Sequence, residues 1–76
     1  MKLYENIISD PNICNGKPTF QGTRITVNTI LEFLSNGSSR EEILYQYPKL
    51  TEKDIDNAIL FASNMINHGF LVQELD

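Results

Sequence analysis

Ser39-Arg40-Glu41-Glu42-Ile43-Leu44-Tyr45-Gln46-Tyr47-Pro48-Lys49-Leu50-Thr51-Glu52-Lys53-Asp54-Ile55 decides how this chain folds. A hydroxyl residue with an acid three positions later has capping-box spacing, in which side chains and backbone satisfy each other at a helix start. Ser38 with Glu41 and Ser39 with Glu42 both offer that spacing, and Thr51 with Asp54 repeats it. Ile43, Leu44 and Tyr47 form an apolar side for the helix between them, and Pro48 stops it, having no N–H to continue the ladder. Two helices joined through Tyr47-Pro48-Lys49-Leu50 have the short connection of a helix-turn-helix unit.

Downstream, the third helix starts at Thr51 and carries an inward stripe of Ile55, Ala58, Ile59, Ala62 and Ile66, with Gly69 as its end. Leu60, Phe61 and Met65 lie beside or beyond that stripe. They read either as a wide core face or as a self-association face, since a bare apolar patch is a liability on a small domain. The tail over 70–76 is apolar at Phe70, Leu71, Val72 and Leu75 but has no period. Upstream, Thr26 is the N-cap of a first helix over 26–36 with Val27, Ile30, Leu31 and Leu34 at helical spacing. Asn36-Gly37 closes it, Gly37 being free to take the left-handed conformation.

Residues 6–26 predict a β-hairpin arm. Ile7-Ile8, Ile13-Cys14, Thr19-Phe20-Gln21 and Arg24-Ile25 are short strand-like pieces separated by Asp10-Pro11, Asn15-Gly16 and Gln21-Gly22. Asn-Gly is the strongest short hairpin signal, and Pro18 restricts its strand to an edge or to a very short run. A lone ribbon is barely stable in water, so the arm must lie on the helices or pair with a second subunit. The fold class is therefore mainly α, a three-helix unit over 26–69 preceded by a short N-terminal β-hairpin arm, in a single domain over 1–76.

A chain of 76 residues buries only about 60–65% of the surface its unfolded form exposes. Cys14 is the only cysteine, so no internal disulfide can assist, and oligomerisation is the usual remedy for so small a core. A homodimer is the expectation. A single unpaired cysteine suits a reducing, cytoplasmic setting. The opening Met1-Lys2-Leu3-Tyr4-Glu5 is no signal peptide, and the longest apolar run, Ala58 to Ala62, is far short of a membrane span.

Six basic and ten acidic residues give a formal charge of −4. All of the excess lies after residue 37, where Arg40, Lys49 and Lys53 face Glu41, Glu42, Glu52, Asp54, Asp56, Glu74 and Asp76. A DNA-binding domain usually has the opposite sign. In a helix-turn-helix the second helix presents its N-terminal residues to the major groove. The candidates there are Thr51, Lys53 and Asn57, the last as a reader of adenine, with Arg40 and Lys49 as phosphate contacts.

Catalysis has little support. His68 stands alone in the last turn of the third helix, where a cation interacts favourably with the helix dipole. No Cys/His cluster has metal-ligand spacing, and the glycines form no phosphate loop. Glu52, Asp54 and Asp56 form no converging dyad; Glu52 and Asp56 share a face at i,i+4, and first-turn acids stabilise a helix start. No enzyme activity, cofactor, metal or small-molecule substrate is expected.

The string Asp10-Pro11-Asn12-Ile13-Cys14-Asn15-Gly16-Lys17-Pro18-Thr19-Phe20-Gln21-Gly22-Thr23-Arg24-Ile25-Thr26-Val27 resembles the signature of the domain of unknown function 433 family: Asp-Pro, Gly-Lys-Pro, then Gly-Thr-Arg and a valine. Asn36-Gly37-Ser38, Glu42-Ile43-Leu44, Tyr47-Pro48, Leu50-Thr51 and the tract from Asp54 through Ala62 also match, so the resemblance covers nearly the whole chain. It departs at Thr26, where the family often has proline.

The resemblance implies a homeodomain-like helix-turn-helix behind a hairpin arm and association as a dimer. It also implies an antitoxin-like role in a toxin–antitoxin pair beside a PIN-like nuclease-fold partner. Gly16, Lys17, Pro18, Gly22, Thr23 and Arg24 are the motif residues of the arm. Physically, Gly22 permits a sharp turn and Thr23 can bond back to it. The five-donor fork of Arg24 suits a carboxylate or a phosphate, or a salt bridge that fixes the arm, with Glu32 as a candidate acid.

Three readings stay open. The first is an antitoxin-like protein that masks a nuclease-fold partner and represses its own operon through operator DNA. The second is a stand-alone DNA-binding regulator, and the third a dimeric interaction module without DNA. Partner or dimer contacts are assigned to Phe20, Leu60, Phe61, Met65, Phe70, Leu71, Val72 and Leu75.

Overall fold

The computed structural model describes residues 1–70. Three short strands, β1 (Lys2–Tyr4), β2 (Ile7–Ile8) and β3 (Thr19–Phe20), form an antiparallel sheet in that order. Three helices follow, α1 (Val27–Ser35), α2 (Arg40–Gln46) and α3 (Glu52–Met65), and a π-helical turn over Ile66–Phe70 extends the last. The fold is mainly α behind a small β arm, as the sequence predicts.

Each helix begins and ends on the residues its local chemistry dictates. Thr26 caps α1, its Oγ1 accepting the Thr29 N–H at 3.1 Å. The far end of α1 closes in a Schellman arrangement, in which Ser38 N–H donates to Phe33 O at 3.0 Å and Gly37 N–H to Leu34 O at 3.1 Å, with Gly37 at φ +92°. Of the two serine–glutamate pairs before α2, Ser39 with Glu42 makes the reciprocal box. Thr51 and Asp54 make another at α3.

The Ser39 backbone N–H and its hydroxyl hold the Glu42 carboxyl below its ordinary value. The folded pKa lies below the unfolded one, so this box stabilises fully above the unfolded value near 4.5 and is lost as pH falls through the folded value. Glu42→Gln is expected to remove that part of the acid-limb dependence, with little change in the slope of stability against pH above pH 6. Urea titrations at stepped pH check it.

The arm departs from the expected hairpin in three ways. β1 lies outside the predicted arm. Leu3 and Tyr4 pack on the core, and Met1 and Ser9 exchange two backbone bonds at 2.8 Å. Ile13-Cys14 is not a strand, because Asp10 closes a tight turn there: its Oδ1 accepts Asn12 N–H at 2.9 Å and its carbonyl accepts Ile13 N–H at 2.8 Å. Asn15-Gly16 therefore joins no adjacent strands; Cys14, Asn15 and Gly16 run through the left-handed region at φ +51°, +58° and +82°. Arg24-Ile25 is likewise no strand, since only Thr26 bridges back to Thr19.

The sheet lies on the helices. One core joins Ile7 and Phe20 of the arm with Val27 and Ile30 of α1, Ile43 of α2, Leu50, and Ile55 and Ala58 of α3. Phe20, at 1% exposure, is a core residue and not the partner contact assigned to it. Its ring lies between the two layers because it sits on β3 directly opposite Ile7.

The predicted stripe of α3 holds only in part. Ile55 and Ala58 are buried, whereas Ile59 is 41% and Ile66 52% exposed. At 1.5 Å per residue α3 is about 21 Å long and α1 and α2 about 14 and 10 Å. The second half of α3 outruns the helices meant to cover it. Nor does Gly69 end the helical path, which continues as the π turn to Phe70.

Candidate functional site

The N-terminal half of α3 is where a helix-turn-helix would read DNA, and its polar groups are already engaged. Arg40, the first residue of α2, reaches across to α3 and pairs with Asp56 Oδ1 at 2.8 Å and Glu52 Oε1 at 3.3 Å. The i,i+4 spacing of the two acids places both before one guanidinium. The hydrogen bond that Arg40 donates to Asp56, and secondarily that to Glu52, holds the Arg40 pKa above its ordinary value. Arg40 is thus a clasp between helices and not the free phosphate contact the sequence suggested.

Asn57 is also corrected. It is buried, and its Nδ2 donates to Asn6 Oδ1 at 3.2 Å, so no adenine edge can reach it. Asn6 Nδ2 donates in turn to Asp54 Oδ1, and Asp54 Oδ2 accepts the Thr51 N–H at 2.8 Å and the Thr51 hydroxyl at 3.2 Å. The β1–β2 turn is thereby tied to the start of α3. Sequence reasoning took Asp54 for a local cap only and missed Asn6. Of the remaining candidates, Thr51 serves as the cap, while Lys53 is exposed beside Arg40, Asp56 and Leu60 in a shallow depression of about 300 Å³.

The motif residues of the arm divide into two groups. Lys17 and Pro18 line an apolar groove of about 250 Å³ with Val27, Leu31, Phe61 and Ala62, and the Gly16 carbonyl accepts Ser9 Oγ at 2.6 Å. Gly22, Thr23 and Arg24 form a tight turn. Gly22 sits at φ +82°, and Thr23 Oγ1 donates to Phe20 O at 2.8 Å while accepting Ile25 N–H at 3.0 Å. That is the backbone-locking role expected of Thr23.

Arg24 makes no salt bridge to Glu32: among the described residues no carboxylate lies within 4.0 Å of it, and the charged pairs are those of Arg40. The loop instead fixes its backbone, with Cys14 Sγ donating to Arg24 O at 3.3 Å. Its side chain lines a depression of about 490 Å³ together with Lys49, a residue the sequence placed in a separate element.

The third feature is an apolar ridge on the second half of α3. Leu60 at 48% and Met65 at 55% exposure stand with Ile59 and Ile66, which the periodicity had assigned to the core. Phe61 is half-buried, its ring 6.4 Å from that of Tyr4. Leu71, Val72 and Leu75 lie outside the described residues, as does the side chain of Phe70. Among the described residues no helix is long and apolar enough to cross a membrane.

Comparison with known proteins adds a family and little chemistry. The uncharacterised protein Rv2308 of Mycobacterium tuberculosis is 34% identical over 58 residues, 76% of this chain but 24% of that protein. The chain thus spans about a quarter of that relative's length. No solved structure matches. The model of the family described as "Protein of unknown function (DUF433)" matches residues 7–62, the stretch that holds the Gly-Thr-Arg turn, the two capping boxes and the Arg40 clasp, and the chain belongs to that family.

Proposed function

We propose that this chain is a non-enzymatic, antitoxin-like protein of the cytoplasm that acts by holding a protein partner against the exposed ridge of α3. The observation that carries this reading is the ridge itself. Ile59, Leu60, Met65 and Ile66 stand 41%, 48%, 55% and 52% exposed on a helix that outruns its own core. Large apolar side chains left exposed together on half of one helix of a small domain mark a binding face. A formal charge of −4 favours a basic, nucleic-acid-handling partner, because complementary fields speed encounter and reject like-charged competitors. The PIN-like nuclease-fold partner implied by the family resemblance has that character. Operon repression through the N-terminus of α3 has less to support it, given the engaged Arg40 and the buried Asn57.

Co-expression with the product of the neighbouring gene tests the reading. A complex is expected, and Leu60→Glu or Ile66→Glu is expected to weaken it at least about 100-fold, since each sets a charge in a desolvated contact. Retained affinity in both variants overturns it. So does light scattering that shows this chain to be a dimer which the same substitutions convert to monomer. The ridge would then serve a second copy, as in a pure interaction module.

A further inference from the structure

The depression between the arm and the α2–α3 turn is lined by Ile13, Gly22, Thr23, Arg24 and Lys49. No acid lines it. The apolar groove at Lys17 also lacks an acid but holds a single cation, whereas the depression beside Arg40 and Lys53 contains Asp56 and the one over α2 contains Glu41 and Glu42. Arg24 and Lys49 are both exposed, and among the described residues neither has a carboxylate within 4.0 Å. Two unpaired cations 25 positions apart in sequence are brought to one face by the fold.

Both are carried on backbone that is held still. Arg24 follows the Thr23 lock, its own carbonyl receives Cys14 Sγ, and Phe20 N–H donates to Ile25 O at 3.2 Å. Lys49 lies between Pro48 and the buried Leu50, whose N–H donates to Tyr47 O at 2.9 Å. None of these bonds serves an ion pair of Arg24. Their combined effect is to fix the backbone that carries a guanidinium fork and an ammonium, leaving only the two side chains to be ordered on binding.

We propose that Arg24 and Lys49 form one oxyanion site that takes two adjacent phosphodiesters of a nucleic-acid backbone. The fork matches two oxygens of a phosphate, and the ammonium supplies a neighbouring point charge. The depression is open, and nothing lies within 4 Å of where a Cβ on Gly22 would stand, so a continuous polymer can pass over it. Lys49 occupies the turn of a helix-turn-helix pair, and in such units the first helix crosses the sugar-phosphate backbone on docking. The site is separate from the α3 ridge, with which it shares no residue, so it does not rest on the protein-partner reading.

Amide chemical-shift titration of the full chain with a 16-base-pair duplex of mixed sequence tests the site, with inorganic phosphate and polyglutamate as parallel probes. The duplex is expected to move the amides of Gly22, Thr23, Arg24 and Lys49 at low salt, and phosphate to do so at least tenfold more weakly. With two phosphates neutralised, log K against log salt should slope about −1.8. Arg24→Gln and Lys49→Gln should each reduce that slope by about 0.9. Both side chains are exposed, and the same spectra report whether the variants remain folded. Polyglutamate as effective as the duplex would reassign the site to an acidic protein segment, and phosphate as tight as the duplex would make it a free-anion site. No movement of these amides, or an unchanged slope in both variants, overturns the proposal outright.

Discussion

Phe20→Ala is expected to lower the melting temperature by more than about 15 °C. Truncating a buried phenylalanine costs roughly 3–5 kcal/mol through lost burial and the cavity left behind, and a domain of this size loses about 4–8 °C per kcal/mol. The whole fold is stabilised by only about 4–11 kcal/mol at the usual 0.05–0.15 kcal/mol per residue, so this one side chain holds a large share. Phe20 joins β3 to the helical layer through a core containing Ile7, Val27, Ile30 and Ile55, and its loss detaches the arm. Phe20→Leu, which keeps most of the volume, should cost clearly less. Thermal melts followed by circular dichroism decide the matter: a drop below about 5 °C for the alanine variant would place Phe20 at a surface after all.

Asp54→Ala comes next, at about 3 kcal/mol. An N-terminal cap alone contributes about 1 kcal/mol, but this carboxylate does more. It accepts from Asn6 as well as from Thr51, and it is 9% exposed. Removing it leaves the Asn6 amide unpaired in a partly buried place, and hydrogen bonds to charged groups are worth about 1.5–3 kcal/mol each. The isosteric Asp54→Asn should remain destabilised where its amide is turned toward that of Asn6. In urea denaturation a loss near 1 kcal/mol would mean that Asp54 acts only as a cap. A double-mutant cycle with Asn6→Ala should show a coupling of about 1 kcal/mol or more between residues in such contact.

What could be read from the sequence was local. The caps at Thr26, Ser39 and Thr51 and the closure at Gly37 depend on residues three to five positions apart, and all appear as predicted. The same holds for the Thr23 lock. Features that depend on which segments meet could not be read in this way. β1 is three residues long and paired by tertiary context, so it carries no periodic signal. The Asn6–Asp54 bond joins residues 48 apart. Periodicity identified the side of α3 that turns inward but not where its neighbours stop, and this put Ile59 and Ile66 in the core. The shared face of Glu52 and Asp56 was legible. That Arg40 crosses to meet them was not, nor that Asn6 meets Asn57, and this is why Arg40 and Asn57, set aside for DNA, prove to be structural, while Thr51 serves as the cap also predicted for it. The pairing of Arg24 with Lys49 lay hidden for the same reason.

The bond between Asn6 and Asp54 also sets an order of events during synthesis. Asn6 is made before every helix of the domain, and the carboxylate it needs follows 48 positions later. At translation rates of about 5–20 residues per second, the arm must wait roughly 2–10 s for that partner. Throughout the interval Ile7 and Phe20 have no α3 to lie against, and the sheet with β1 and β3 as its outer strands lacks part of the helical layer that covers it. For those seconds the arm exposes apolar surface that the finished domain buries. The turn between β1 and β2 becomes native only once the start of α3 has left the ribosome.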